Sequence, residues 1–190
     1  QYEEAVVQFN KALSMDKSHT EIYKDISDVY EKKRDFPKAI EAYKNYLDEM
    51  KSSPDISDLF LYGRLNYYAA TDSAYQDKQP TYLAEADTIF AQVAVKVPDN
   101  YLGNFWRARV NSLRDPETTQ GLAKPYYEAA LSILEQKPDA TKSVLVECNS
   151  YLGYYYFVKE DYNQSKQYWN KILEIDPENE TATKALGGIK

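Results

Sequence analysis

His19 is the chain's only histidine and Cys148 its only cysteine, which limits the chemistry on offer. A lone His cannot share a metal with a second imidazole, and no nucleophile has a family of imidazole bases to draw on. His19 stands between Ser18 and Thr20 and reads as an exposed turn residue. A single Cys forms no internal disulfide and no thiolate zinc site. Cys148 falls beside a core position of a helical pattern and reads as a buried, inert thiol. The carboxylates are spread along polar helical faces without a defined acid–base pair, and no glycine-rich phosphate loop is present. Asn163-Gln164-Ser165 and Asn179-Glu180-Thr181 match the glycosylation pattern but fall inside helical stretches, and read as chance matches. The expectation is a non-enzyme with no cofactor and no metal.

Composition narrows the class further. The 190 residues carry 23 Lys+Arg against 30 Asp+Glu, a formal net charge of −7. A nucleic-acid binder relies on positive surface, so that class is excluded as a reading. No apolar run approaches the roughly 18 residues that a membrane span needs. With only 6 Gly and 8 Pro the chain has too few turn-formers for an all-β fold, and it is unusually rich in Tyr, at 19. Function must then lie in a surface, which directs attention to the elements that shape it.

Those elements repeat. Ala5, Phe9, Ala12 has spacing 4 then 3, and the pattern returns as Ala39, Tyr43, Tyr46; Ala86, Phe90, Val93; Ala123, Tyr127, Ala130; and Ser165, Trp169, Ile172. The spacing sets a small residue, an aromatic and a small or apolar residue on one helical face. A second set precedes four of these: Tyr23, Ile26, Ser27, Tyr30; Leu59, Tyr62, Gly63, Asn66; Asn104, Arg107, Ala108, Asn111; and Asn149, Leu152, Gly153, Tyr156. Each unit is therefore a pair of amphipathic helices, A then B. Ala5 to Ala39 is 34 residues, and longer intervals between later units place their extra residues between helices.

This pattern resembles the tetratricopeptide repeat family, and within it the proteins of Bacteroides-group bacteria. The match is fullest at Asn149, Leu152-Gly153, Tyr156, Asp161-Tyr162, Ser165, Trp169, Ile172-Leu173 and Asp176-Pro177, and good again at Tyr23, Tyr30, Asp35-Phe36, Ala39 and Tyr43. The resemblance implies an all-α solenoid of antiparallel helix pairs in a right-handed superhelix. The units expected are a partial repeat at 1–17, full repeats at 18–53, 54–98, 99–138 and 139–177, and a capping helix at 178–190. Helix A is missing before residue 1, so the chain reads as cut from a longer protein. The exposed half repeat offers an end-to-end dimer. The Bacteroides-like character leans toward a periplasmic or cell-envelope location.

Helices are predicted near 1–16, with Met15-Asp16-Lys17 ending the first, then 20–33, 36–50, 57–74, 81–96, 100–114, 122–136, 142–158, 162–175 and 179–188. Pro54, Pro98, Pro138 and Pro177 sit just past helices B, and Pro37 and Pro80 fit first turns. The insertion 71–82 reads as a polar surface loop, with a binding loop as the functional alternative. Pro125 forces its helix to start late, near Leu122, after a loop at 115–121. Asn104, Arg107 and Asn111 stand where the family is apolar. Either the helix rotates so that Phe105 and Trp106 take the core, or these groups form a satisfied network with Tyr hydroxyls.

In this family helices A line the concave side. Helical spacing then turns Glu21, Lys24, Asp28 and Glu31 inward, followed by Phe60, Arg64, Tyr67 and Tyr68. Phe105, Arg109, Ser112 and Leu113 come next, and Ser150, Tyr154, Phe157 and Val158 last. Arg64, Arg109 and Tyr154 are equivalent positions. Aromatics around Arg suit a peptide, through rigid area and a planar fork. The expected ligand-binding residues are Phe60, Arg64, Tyr67, Tyr68, Phe105, Arg109 and Tyr154, holding a peptide or partner protein in the groove. The plainer reading is that the aromatics pack on neighbouring helices and the Arg meet acids. Some members clamp a C-terminal carboxylate with Lys and Asn; here Lys24, Asp28 and Leu61 stand at those places, so that clamp is not expected. The ridge Glu21, Asp25, Asp28, Glu31 is either solvated or a lure for a basic partner. Two alternatives stand beside the scaffold reading: carbohydrate or small-molecule binding on Tyr and Trp platforms, and a structural spacer or oligomerisation segment of an envelope protein.

Overall fold

A computed structural model describes residues 2–16 and 18–189. The expectations that rest on Gln1, Lys17 and Lys190 lie outside the described residues. Ten α-helices and one 3-10 helix are present among the described residues, and no strand. They are α1 (Tyr2–Met15), α2 (Glu21–Lys32), α3 (Phe36–Glu49), α4 (Ile56–Thr71) and α5 (Gln79–Lys96), then α6 (Leu102–Arg114), α7 (Lys124–Leu134), α8 (Lys142–Val158), α9 (Tyr162–Ile175) and α10 (Glu180–Gly188). The chain divides into two units, Gln1–Val93 and Ala94–Lys190.

Helix starts follow from local chemistry. The Asp35, Asp161 and Asn179 side chains accept N–H bonds from Lys38, Gln164 and Ala182, and Asp55 and Asp58 form a reciprocal capping box. Pro37 and Pro125 lie in first turns, where no intrahelical N–H is due. The α2–α3 and α8–α9 turns are built alike. Arg34 and Glu160 take positive φ, 59° and 60°. Asp35 N–H donates to Tyr30 O and Asp161 N–H to Tyr156 O, both at 2.9 Å.

In the first unit, α1 packs on α2, α2 on α3 and α3 on α4. The small–aromatic faces make the core. Ala39, Tyr43 and Tyr46 are buried, as are Ala86, Phe90 and Val93. Gly63 of α4 faces Phe90, and a Cβ there would sit 2.8 Å from the ring. The small residue thus lets the aromatic of helix B lie directly on helix A. The triplet of α1 is only half-buried.

The second unit stacks α6, α7, α8, α9 and α10 in sequence. Ala123, Tyr127 and Ala130 are buried, and so are Ser165, Trp169 and Ile172. A Cβ on Gly153 would meet Trp169 at 2.7 Å, repeating the relation of Gly63 to Phe90. Ser27 Oγ donates to Ala39 O and Ser165 Oγ to Gly153 O, each at 2.8 Å, so the same A–B junction is tied from opposite sides in the two units.

The insertion differs from the open loop expected at 71–82. Residues Ser73–Lys78 form the 3-10 helix and α5 starts at Gln79. Asp72 is the reason. Its carboxylate accepts from Ala74 N–H at 2.9 Å and from Arg34 Nη2 at 2.7 Å, 38 residues away. Tyr75 closes the contact, its ring edge-on to Phe36 and its hydroxyl donating to Arg34 O at 3.2 Å. The segment is held against the α2–α3 turn. The loop before α7 is organised by the corresponding residue after α6. Asp115, 3% exposed, accepts from Gln120 and Gly121 N–H at 3.0 and 2.7 Å, and Gly121 turns at φ 73°. The helix then starts at Lys124, later than Leu122.

Candidate functional site

Helices A of the first unit are α2 and α4, and their exposed sides are laced together by charge. Lys24 Nζ of α2 donates to Asp58 Oδ1 of α4 at 3.3 Å, and Tyr43 OH reaches the same oxygen at 3.4 Å. Asp58 is buried, and burial together with that carboxylate pushes the Tyr43 hydroxyl up, keeping it a donor. In the reverse direction Arg64 Nη2 of α4 donates to Glu31 Oε1 of α2 at 3.2 Å, with its guanidinium 5.4 Å from the Tyr68 ring. Lys24, Asp28, Glu31 and Tyr43 edge a hollow of 210 Å³ floored by Leu61 and Leu65.

Phe60 is half-buried, edge-on to Phe90 at 5.9 Å. Tyr67 and Tyr68 are half-buried and edge-on to each other at 5.9 Å, and Tyr68 also meets Phe36 at 6.4 Å. Phe60 and Tyr68 thus pack on α5 and α3, while Tyr67 lies against Tyr68 of its own helix.

In the second unit the helices A are α6 and α8. Arg109 binds Glu147 through Nε at 2.7 Å and Nη2 at 2.6 Å, a two-point pairing of guanidinium and carboxylate. Tyr127 OH donates to the same carboxylate at 3.2 Å. Burial, and then Glu147, push that hydroxyl up, so it too remains a donor. The guanidinium lies 4.4 Å from the Phe105 ring and 5.0 Å from that of Trp106.

Phe105, expected among the side chains lining the groove, is 3% exposed, edge-on to Tyr101 and Tyr127, and lies under the Arg109 guanidinium. Elements of both alternatives are present, at Phe105 and Trp106 and at Arg107 and Asn111. Phe105 and Trp106 enter the core, while buried Asn111 donates to Arg107 O at 2.9 Å. Arg107 lies over the Tyr126 ring at 4.2 Å and donates to its hydroxyl at 3.0 Å. Tyr154 is 43% exposed on α8.

The two Arg that spacing singled out thus meet carboxylates of the adjacent helix A. Helical spacing finds the face but not the partner. The neighbours missed in the sequence are Asp58 and Glu147, each one helix A further on, and the C-terminal Lys184 and Ala185 that line a hollow beside Tyr154. Cys148 is fully buried and its thiol is pushed up to about 12 by burial, then by Glu147. His19 is exposed, with Nε2 at 3.3 Å from Asp16. Among the described residues no cluster of three metal-ligating side chains occurs, and no helix is long and apolar enough to cross a membrane.

A tetratricopeptide repeat sequence profile matches residues 151–179, the stretch that runs from α8 through α9. The C-terminal part of a tetratricopeptide repeat-containing protein from Cytophaga hutchinsonii is 31% identical, with a TM-score of 0.81 over 95% of this chain. This chain spans 65% of that one, less than two thirds of its length. A thermophilic tetratricopeptide protein of Thermus thermophilus is 15% identical at a TM-score of 0.57, covering 99% of this chain and 90% of its own. YrrB, a tetratricopeptide protein described as having an unusual peptide-binding site, is 18% identical at a TM-score of 0.64, covering 97% and 82%. No curated protein sequence matches. These structures share a tetratricopeptide repeat fold of stacked helix pairs.

Proposed function

We propose that this chain, a tetratricopeptide repeat protein in fold and in the signature of its last repeat, is a non-enzymatic scaffold holding a peptide or partner protein on its helices A. One observation carries the reading: charged side chains on those helices are paired across neighbouring helices, with half-buried Tyr67 and Tyr68 on α4 and exposed Tyr154 on α8. Lys24–Asp58 and Arg64–Glu31 do this in the first unit, and Arg109–Glu147 in the second. A surface whose long side chains are already ordered loses less entropy when a ligand binds. Arg64, Tyr67, Tyr68 and Phe60 offer the contacts in the first unit. Arg109 and Tyr154 offer them in the second, with Phe105 acting through the guanidinium it supports. A guanidinium has more N–H donors than one carboxylate accepts, so a peptide carbonyl can share it. The peptide-binding site of YrrB, on a similar fold, is consistent with this use.

The test is selection from a random peptide display library on the immobilised chain, beside Tyr67→Ala, Tyr154→Ala and Arg109→Ala variants of unchanged helicity. Enrichment of a peptide pattern by the wild type, lost in at least one variant, is the expected result. No enrichment by the wild type, or equal enrichment by all variants, would overturn the reading.

A further inference from the structure

Helix α10 takes the place of a further helix A, docking on α9 through Ala182 and Ile189 against Trp169 and Ile172. It is only 9 residues long and ends in Gly187-Gly188, where a Cβ would meet nothing within 4 Å. On α8, Tyr154 and Phe157 stand 43% and 41% exposed. Between them and α10 lies a hollow of 230 Å³, with Trp169, Ala185 and Ile189 in its walls and, among the described residues, Lys184 as the one charged residue lining it.

Resting on the scaffold reading above, we propose that this hollow takes one large apolar side chain of a bound peptide, with a peptide carboxylate set beside it on Lys184. Size argues for a single side chain: pockets that enclose whole small molecules run to roughly 300–1,000 Å³. The walls argue for carbon, since two exposed rings and a buried indole gain by covering one another's apolar area. The charge argues for the carboxylate. Lys184 is a cation in a chain of net charge −7, and it pairs with Glu180 at 2.9 Å, both side chains being largely exposed. Such a pair is weak in water and yields readily to a ligand anion.

The chain has two indoles, Trp106 and Trp169, which give two resolved N–H signals when the protein is labelled with ¹⁵N. The probes are N-acetylphenylalanine, its amide and N-acetylalanine. N-acetylphenylalanine is expected to shift the Trp169 signal saturably, in roughly the millimolar range for so small a ligand, and to leave Trp106 unmoved. The amide and the alanine compound should bind about tenfold more weakly. Ala185→Phe, which fills the hollow, should abolish the shift while Trp106 and the circular dichroism stay unchanged. No Trp169 shift, equal shifts for all three probes, or a shift that survives Ala185→Phe would overturn the proposal. So would a Trp169 shift that follows protein concentration alone, which would make a second copy the occupant. Library enrichment without a Trp169 response would overturn the hollow and leave the scaffold reading standing; a Trp169 response without any enrichment would do the reverse.

Discussion

Arg109 meets Glu147 with two hydrogen bonds, of 2.7 and 2.6 Å, and the pair ties α6 to α8 across 38 residues of sequence. Tyr127 of the intervening helix B donates to the same carboxylate. The first unit has a related arrangement: Lys24 of α2 and Tyr43 of α3 converge on Asp58 of α4. In both, a cation from one helix A and a hydroxyl from the following helix B hold an acid on the next helix A. Arg109 thus both ties α6 to α8 and stands among the side chains proposed to meet a ligand.

Breaking the Arg109–Glu147 pair should therefore cost stability. Both side chains are about one-third exposed, which places the pair between a surface and a buried one. Arg109→Ala or Glu147→Ala should each lower stability by about 1–2 kcal/mol. The double variant should lose less than the sum, because each single change removes the same contact. Urea unfolding of the four proteins checks this; strict additivity would show that the pair contributes nothing.

Close approach at Gly63 and Gly153 gives a second expectation. A methyl at either position would press on the ring of Phe90 or Trp169 at under 3 Å. Gly63→Ala and Gly153→Ala should each destabilise by about 1–3 kcal/mol through overpacking. Gly187→Ala, in the last turn of α10 with open space around it, should be neutral or stabilise by up to about 1 kcal/mol. Thermal unfolding by circular dichroism separates the two groups, and equal effects at all three positions would refute the packing argument.

Much of this was legible in the sequence because burial imposes a period. The small–aromatic triplets from Ala39 to Ile172 are buried where their spacing places them, and the Asp-Phe and Asp-Tyr turns cap the helices they precede. The rest turns on contacts that spacing does not encode. Composition marks 71–82 as polar, but the carboxylate of Asp72 folds the segment back on Arg34. Spacing puts Phe105 on the groove-lining face, but Phe105 and Trp106 are both buried while Arg107 lies over the Tyr126 ring. Arg64 and Arg109 were legible as surface cations. Which of many acids each would meet depended on the rotation of the neighbouring helix A.

Asp115 makes the loop before α7 sensitive to acid. Burial raises its carboxyl, but the N–H groups of Gln120, Gly121 and Leu122 outweigh that and hold it below the usual carboxylate value. A carboxyl lowered in the folded state stabilises above its unfolded value, near 3.9, and that contribution fades as pH falls through the folded value. Asp115→Asn should lower stability at pH 7 by about 1–3 kcal/mol and flatten the loss of stability below about pH 4. Urea midpoints from pH 2 to 7 would show it; parallel curves for wild type and variant would contradict the assignment.

The central claim is that a partner sits on the helices A. Photo-cross-linking tests it most directly, with benzoylphenylalanine placed singly at Tyr67, Tyr154, Met15 or Val95. Met15 and Val95 are 79% and 80% exposed at the ends of α1 and α5, which are helices B. Each protein is irradiated with a peptide enriched in the display selection. The account predicts adducts from position 67 or 154 and none from 15 or 95. Adducts confined to 15 or 95 would contradict it and move the binding surface off the helices A.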